Sequence, residues 1–438
     1  MNAVNTWYDQ RRDPRWRFGL VMLSLLIGVP VIGRADEPDL LVDSESAAGA
    51  RLISIDADWN MTFEVAAGTR LVAARDVVFW GRQHKFRRGP LVLLADGSVV
   101  VGAIKGVVDG RLQITSRALG SIETSLANVR GILMTPPARV AEADRMVDWM
   151  LGAQEAGDQV LLVNGDRLTG HVSIGFDPET GQSSINLVPR QTVTALSIEV
   201  STVEAVVFGG PNVEYAKHPR MEIGFRDGSR FLVGRIASPI HRPIANAFDS
   251  DDQEPIQLGL VCGESITVSR ETVEDRVTWV QPLGFGRYVY LSDLEPLAYK
   301  QVPFLDARHA WASDHNVLGG HLRVHGHRLS KGIGMAPAST LAFELTGKES
   351  AFHAELAIDD RAGGRGSVVF RIFAGRLDSG RVVWEPAYES PIVRGGQPPL
   401  AVSVDLRSAS RLALLVEFSE RGDELDYADW LNPRLVVE

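Results

Sequence analysis

The stretch GGHLRVHGHRLSKGIGMAPAS (Gly319 to Ser339) decides the fold together with AFHAELAIDD (Ala351 to Asp360), GSVVFRIFAG (Gly366 to Gly375) and LDYADWLNPRLVV (Leu425 to Val437). Apolar runs of strand length alternate there with Gly, Asp and Pro corners, and no segment of helical period interrupts them. That alternation is the signature of an antiparallel β-sandwich. Working outward, YVYLSDLEP (Tyr288 to Pro296) opens the series, so the sandwich is expected over residues 285–438.

In this order, from the SDL opening to the D-x-A-D-W close at Asp426 to Trp430, the pieces resemble the NPCBM family. The resemblance covers about Tyr288 to Glu438 and implies a galactose-binding-like jelly roll of carbohydrate-binding type, with a glycan or polysaccharide as partner. Its IDD and D-x-A-D-W segments belong to the family pattern, so they speak for the fold rather than for an activity. One departure is visible. Family members commonly read G-x-G-V-H after the central strand, whereas here the run is GIGMA, with Ala336 in the His position. If that His addresses the sugar, this copy has a changed affinity or ligand.

The N-terminus reads as a targeting segment. Arg11, Arg12, Arg15 and Arg17 precede an apolar run from Phe18 to Ile32, and Gly33-Arg34-Ala35 offers small residues where a signal peptidase cuts. The run is short for a membrane span and contains Pro30, so residues 1–35 are expected to be a cleaved signal peptide, with no transmembrane segment afterwards. Export to the periplasm, cell surface or exterior follows. Loss of those residues would take the formal charge from −10 to −13. No basic cluster follows a phosphate backbone, which argues against nucleic acid as a partner. Cys262 is the only cysteine, so no intramolecular disulfide forms, and its LGLVCGESITV context reads as a buried structural thiol.

Ahead of the sandwich the chain repeats itself. LVLLADGSVVVGAI, LLVNGDRLTGHVSI and MEIGFRDGSRFLVGRI share a strand, a two-residue Asp-Gly or Asn-Gly turn expected to have positive φ at both positions, a second strand and a later Gly. Such dipeptides are the strongest hairpin signals, and the later Gly (Gly102, Gly170, Gly234) suits a sharp bend. A degenerate copy with Asp43 and Gly49 comes first. Turn positions are spaced by 53, 68 and 63 residues, too irregular for a tight solenoid. The expectation is four separate small barrels resembling Sm-like or SH3-like folds, over residues 36–84, 85–137, 158–212 and 213–284. Residues 138–157 form a helical linker whose stripe of Val140, Ala143, Met146, Val147, Met150 and Leu151 packs on a barrel. Ser238 to Pro255 reads as a surface loop.

Candidate chemistry is sparse. His309, His315, His321, His325 and His327 crowd together, but without acidic or thiol ligands at metal spacing they read as ordinary strand and loop side chains. Asp359-Asp360 and the pair Asp426 and Asp429 read as turn-capping acids; Asp360, Asp426 and Asp429 are the candidates for a structural calcium. Sugar recognition needs an aromatic face and polar forks, for which the loops offer Trp311, Arg361, Arg365, Trp384, Tyr388 and Tyr427, while Trp430 reads as core. No cofactor and no catalytic residue is expected. The chain thus reads as all-β: tandem small SH3/Sm-like barrel units, then a C-terminal jelly-roll β-sandwich. Its expected role is non-catalytic glycan binding, with an envelope scaffold that contacts other envelope proteins as the alternative.

Overall fold

The structure, a computed structural model, describes residues 40–84, 89–153, 157–177, 182–190, 192–210, 219–237, 240–241, 255–269, 276–303, 308–420 and 422–437. The targeting segment 1–35 and most of the 238–255 loop lie outside the described residues. The described residues are mostly antiparallel strands, with one complete α-helix among them, α1 (Val140–Gly152). No helix among the described residues is long and apolar enough to cross a membrane.

The hairpins form where the Asp-Gly and Asn-Gly pairs predict them, with a different turn. Gly97 N donates to Leu94 O (3.0 Å) and Leu94 N donates to Ser98 O (2.8 Å); Leu162/Gly165/Asp166 and Phe225/Gly228/Ser229 repeat the pattern. Only the glycine of each pair has positive φ, at 90°, 89° and 91°. These are three-residue loops, a type I turn followed by a left-handed Gly, and not two-residue type I′ turns. The acidic side chain closes the loop: Asp96 Oδ1 accepts from Ser98 N (2.8 Å), and Asp227 Oδ1 from Ser229 N (2.9 Å). A short 3₁₀ turn precedes the closing strand in three units, at Ala74–Asp76, Leu126–Asn128 and Val200–Thr202.

The units are not separate bodies, contrary to the expectation from sequence. Most of their strands run together in one 16-stranded sheet in which the third unit adjoins the second, the second the fourth, and the fourth the first, while strands of the first and second units also form separate sheets of four and three strands. Closing strands pair with closing strands: Val129–Leu133 with Val203–Val207, and Val77–Gly81 with Val277–Pro282. Gly131 permits the first approach, since a Cβ there would stand 2.5 Å from Val206 O. Between the second and fourth units the hairpins clasp reciprocally. Leu232 N donates to Ser98 Oγ and Val101 N to Ser229 Oγ, each at 2.9 Å. Their apolar interiors merge into one continuous cluster. Val147 and Met150 of α1 form a second apolar cluster with Leu91, Leu93, Leu133 and Val207.

The C-terminal body is a two-layer sandwich. Its front sheet runs Ala312–Ser313, Gly332–Met335, Ala428–Val437, Glu349–Ile358, Leu400–Asp405, with Tyr288–Tyr290 also beside Ala428–Val437. The back sheet runs Ala298–Gln301, Ser339–Glu344, Arg411–Phe418, Ser367–Asp378, Arg381–Glu389. Trp430, fully buried, stands edge-on to Phe370 (4.9 Å between ring centres) at the centre of the core.

The outer face of the front sheet is covered by the barrels. Arg434 donates from Nη1 to Glu355 Oε1 (3.3 Å) and from Nη2 to the backbone of Asp43 in the first unit (2.7 Å). Asn432 links Glu355 (3.1 Å) to Gln281 of the fourth unit (3.2 Å). Burial raises the Glu355 carboxyl, and Arg434 opposes that shift. Removing one partner of such a pair strands the other charge. Arg434→Ala is therefore expected to cost about 3–5 kcal/mol in urea unfolding of the whole chain, and adding Glu355→Gln to recover part of the loss.

Candidate functional site

With one face of the sandwich covered, its loop ends decide what a ligand can reach. Trp311 adjoins Ala312, which pairs with Gly334; Met335 pairs with Ala428, and Ala428 with Ile358. One rim of the front sheet therefore carries, strand by strand, Trp311, Ala336, Tyr427 and the Asp359 to Arg365 loop. Neighbouring strands lie about 4.8 Å apart, so the row spans roughly 15 Å, the length of a short oligosaccharide.

Acids hold this rim in shape. Asp359 N donates to Tyr427 O (2.9 Å), and Asp359 accepts from Arg361 N (2.9 Å) and Arg323 N (3.0 Å). Asp360 accepts from His325 N and Gly326 N at 2.8 and 2.6 Å, capping a neighbouring hairpin turn. Asp426 accepts from Ser367 N at 2.6 Å. Asp429 is wholly buried beside Asp359 and Asn316. Burial first, and the Asp359 charge second, hold its carboxyl far above the ordinary range. Burial likewise lifts Asp426 from 3.8 to about 7. The calcium candidates Asp360, Asp426 and Asp429 are thus occupied as turn caps or held toward the neutral form. No group of three or more His, Cys, Asp or Glu among the described residues could hold a metal ion.

Above this base, two polar groups stay uncommitted. The Arg361 guanidinium lies against Gly320, where a Cβ would stand 3.2 Å from Nη2. Among the described residues it makes no ion pair or hydrogen bond, and neither does the Tyr427 hydroxyl. Arg365 pairs loosely with exposed Glu424 at 3.4 Å. Trp311 is half-buried, with part of its surface against the sandwich core.

The other aromatic candidates lie elsewhere. Trp384 pairs with Gly375 toward the far end of the back sheet's edge strand, with its ring over that glycine. Tyr388 is half-buried against the core, where burial raises its hydroxyl. Neither joins Trp311 in a pocket. Ala336 is buried, and its carbonyl accepts from Ser339 Oγ (2.5 Å).

The histidines fall at the junction with α1 and the barrels. His315 Nε2 stands 3.3 Å from Asp148, which raises its pKa, and its ring stacks on His321 at 5.5 Å. His325 occupies a left-handed turn position (φ 53°), so His325 and His327 do not share a strand face. Two features had no sequence signal. Asp144 and Asp148 of α1 reach the sandwich at Arg323 and His315. An open groove of about 610 Å³ lies between the first unit and the sandwich, lined by Asp43, Phe285, Arg287, Ser350, His353 and Val437.

A two-layer jelly roll with an open loop rim and a covered opposite face defines the class. Residues 287–436 match the family model described as the NPCBM/NEW2 domain, and this part of the chain is an NPCBM domain. A curated protein of Renibacterium salmoninarum, named "Putative endo-alpha-N-acetylgalactosaminidase", is 29% identical over 118 residues, 27% of this chain and 7% of that protein. The chain therefore spans a small fraction of that relative's length. Among solved structures, CBM51 from Clostridium perfringens GH95 in complex with methyl-galactose is 20% identical, covering 34% of this chain and 99% of its own, with a TM-score of 0.29. The CBM51-2 and INT domains of Clostridium perfringens ZmpB are 22% identical, covering 34% of this chain and 31% of theirs, also at 0.29.

The Asp426 shift has a defined sign. Between 3.8 and about 7 the folded chain holds a proton that the unfolded chain has released, so this contribution to stability falls as pH rises through that window. Asp426→Asn is expected to match the parent near pH 4 and to exceed it by on the order of 1–2 kcal/mol at pH 8 in urea titrations.

Proposed function

We propose that the protein is an exported, non-catalytic glycan-binding protein whose ligand lies across the rim from Trp311 to Arg361. The observation that supports this most directly is the uncommitted Arg361 guanidinium and Tyr427 hydroxyl, set on a backbone already tied down by Asp359. A planar fork of five N–H donors suits vicinal sugar hydroxyls, and the half-exposed Trp311 ring suits the apolar face of a pyranose. With Ala336 buried where family members commonly carry His, selectivity rests on Arg361, Tyr427 and Arg365.

The junction groove is the weaker site for this purpose. Its polar groups answer one another: Arg287 pairs with Asp76 and with Asp43 (3.5 Å), and the Tyr288 hydroxyl is 3.2 Å from Asp76 O. A sugar there would have to break those pairs, whereas the rim offers donors without partners. The barrels and α1 then act as a rigid base.

A glycan array followed by titration calorimetry tests the reading, with methyl-galactoside and N-acetylglucosamine as first probes. Arg361→Ala and Tyr427→Phe are each expected to weaken binding about tenfold, the worth of one good hydrogen bond to a ligand, with the melting temperature unchanged. Trp384→Ala should leave affinity as it was. Loss of binding in Trp384→Ala but not in Arg361→Ala would move the site to the back sheet. No saccharide binding at all, with capture of envelope proteins, would favour the scaffold role.

A further inference from the structure

Three arginines converge where the sandwich meets the barrels. Arg230 comes from the strand Arg230–Ile236 of the fourth unit; Arg323 and Arg328 come from the hairpin strands Leu322–Val324 and His327–Leu329. With Gln83, His84 and Ser229 they line a small cavity of about 20 Å³. Arg328 is 7% exposed and among the described residues forms no ion pair; its one side-chain hydrogen bond there runs from Nη2 to His321 Nδ1 (3.1 Å). Arg323 donates to Asp144 (2.9 Å) and Arg230 to Glu222 (3.3 Å). The Nε–H of each arginine is buried without a partner. Three guanidinium groups of the cavity lining thus face two carboxylates, and three buried Nε–H donors go unanswered.

We propose that this cavity is a binding site for one small monovalent inorganic anion, of chloride size, that bolts the sandwich to the barrel assembly. An arginine does not shed its proton near neutral pH, so the surplus positive charge must be met from outside. A buried unpaired charge costs several kcal/mol, and a halide bound among the three Nε–H groups answers charge and donors together. The void decides the size. A cavity of this volume admits about one water-sized particle, which excludes phosphate, sulfate and carboxylate ligands. Burial first, and the Arg230 charge second, disfavour charged Arg328, while Glu222 and Asp144 oppose that shift. His321, held neutral by burial, accepts from Arg328 and adds no charge of its own.

The test uses the whole protein. Crystals grown in bromide are expected to show an anomalous peak between Arg230, Arg323 and Arg328. At constant ionic strength, replacing gluconate by chloride should raise the melting temperature by about 2 °C, with a response that saturates as a single site fills. Arg328→Gln should abolish the chloride response. Arg230→Gln, which keeps the hairpin intact, serves if the first variant folds poorly, while the surface variant Arg51→Gln should retain the response. A single water in the bromide crystals, or melting that is identical in chloride and gluconate, would overturn the proposal.

Discussion

The covering of one sheet face constrains everything else in this molecule. On an isolated sandwich the outward residues of the front sheet would be hydrated. Here Glu355, Asn432 and Arg434 point outward and are nonetheless enclosed, because the first and fourth barrel units close over them. Each must then find its partner within the junction. Such pairs add little net stability over an apolar contact, and their usual contribution is to register. An apolar contact could slide, whereas Arg434 reaches Glu355 and Asp43 in one relative placement of the two bodies.

That constraint also explains where the candidate site lies. With the front face covered and the core closed around Trp430, the sandwich meets solvent at its ends and on its back sheet. At the rim, buried Asp359 fastens the loops from beneath, so Arg361 and Tyr427 present their polar groups without themselves serving as struts. Loops tied in this way lose less conformational freedom on binding, and that preorganisation is a direct gain in affinity.

Much of the fold was legible in the residues. Turn dipeptides, two-residue alternation and the α1 stripe are local signals, and they placed the hairpins, the sandwich strands and the buried side of the helix. Ala143, Val147 and Met150 are buried where the stripe put them. What escaped is non-local. Ser98 and Ser229 look like ordinary turn residues until the two hairpins are brought together, and only then is each seen to accept from the other's strand. Asp144 and Asp148 look like the solvated face of α1, yet they face the sandwich. Among the site candidates, Trp384 and Tyr388 share composition with Trp311 and Tyr427 but not location. Composition alone does not say which end of a strand a ring occupies, or on which sheet.

The order of the units along the sheet gives the last link. The third unit lies beside the second and the fourth beside the first, so the chain returns to its start before the sandwich begins. Tyr288 leaves the fourth unit next to Asp43 and Asp76 of the first, and the short Leu283 to Arg287 connection can span the gap only because those units touch. Four independent barrels on flexible linkers would let the sandwich swing. Barrels closed by Gly131 and Gly81 at their strand-to-strand joints, and clasped through Ser98 and Ser229, hold it at several points distant in sequence. The repetition upstream therefore fixes the direction in which the rim of Trp311, Tyr427 and Arg361 faces.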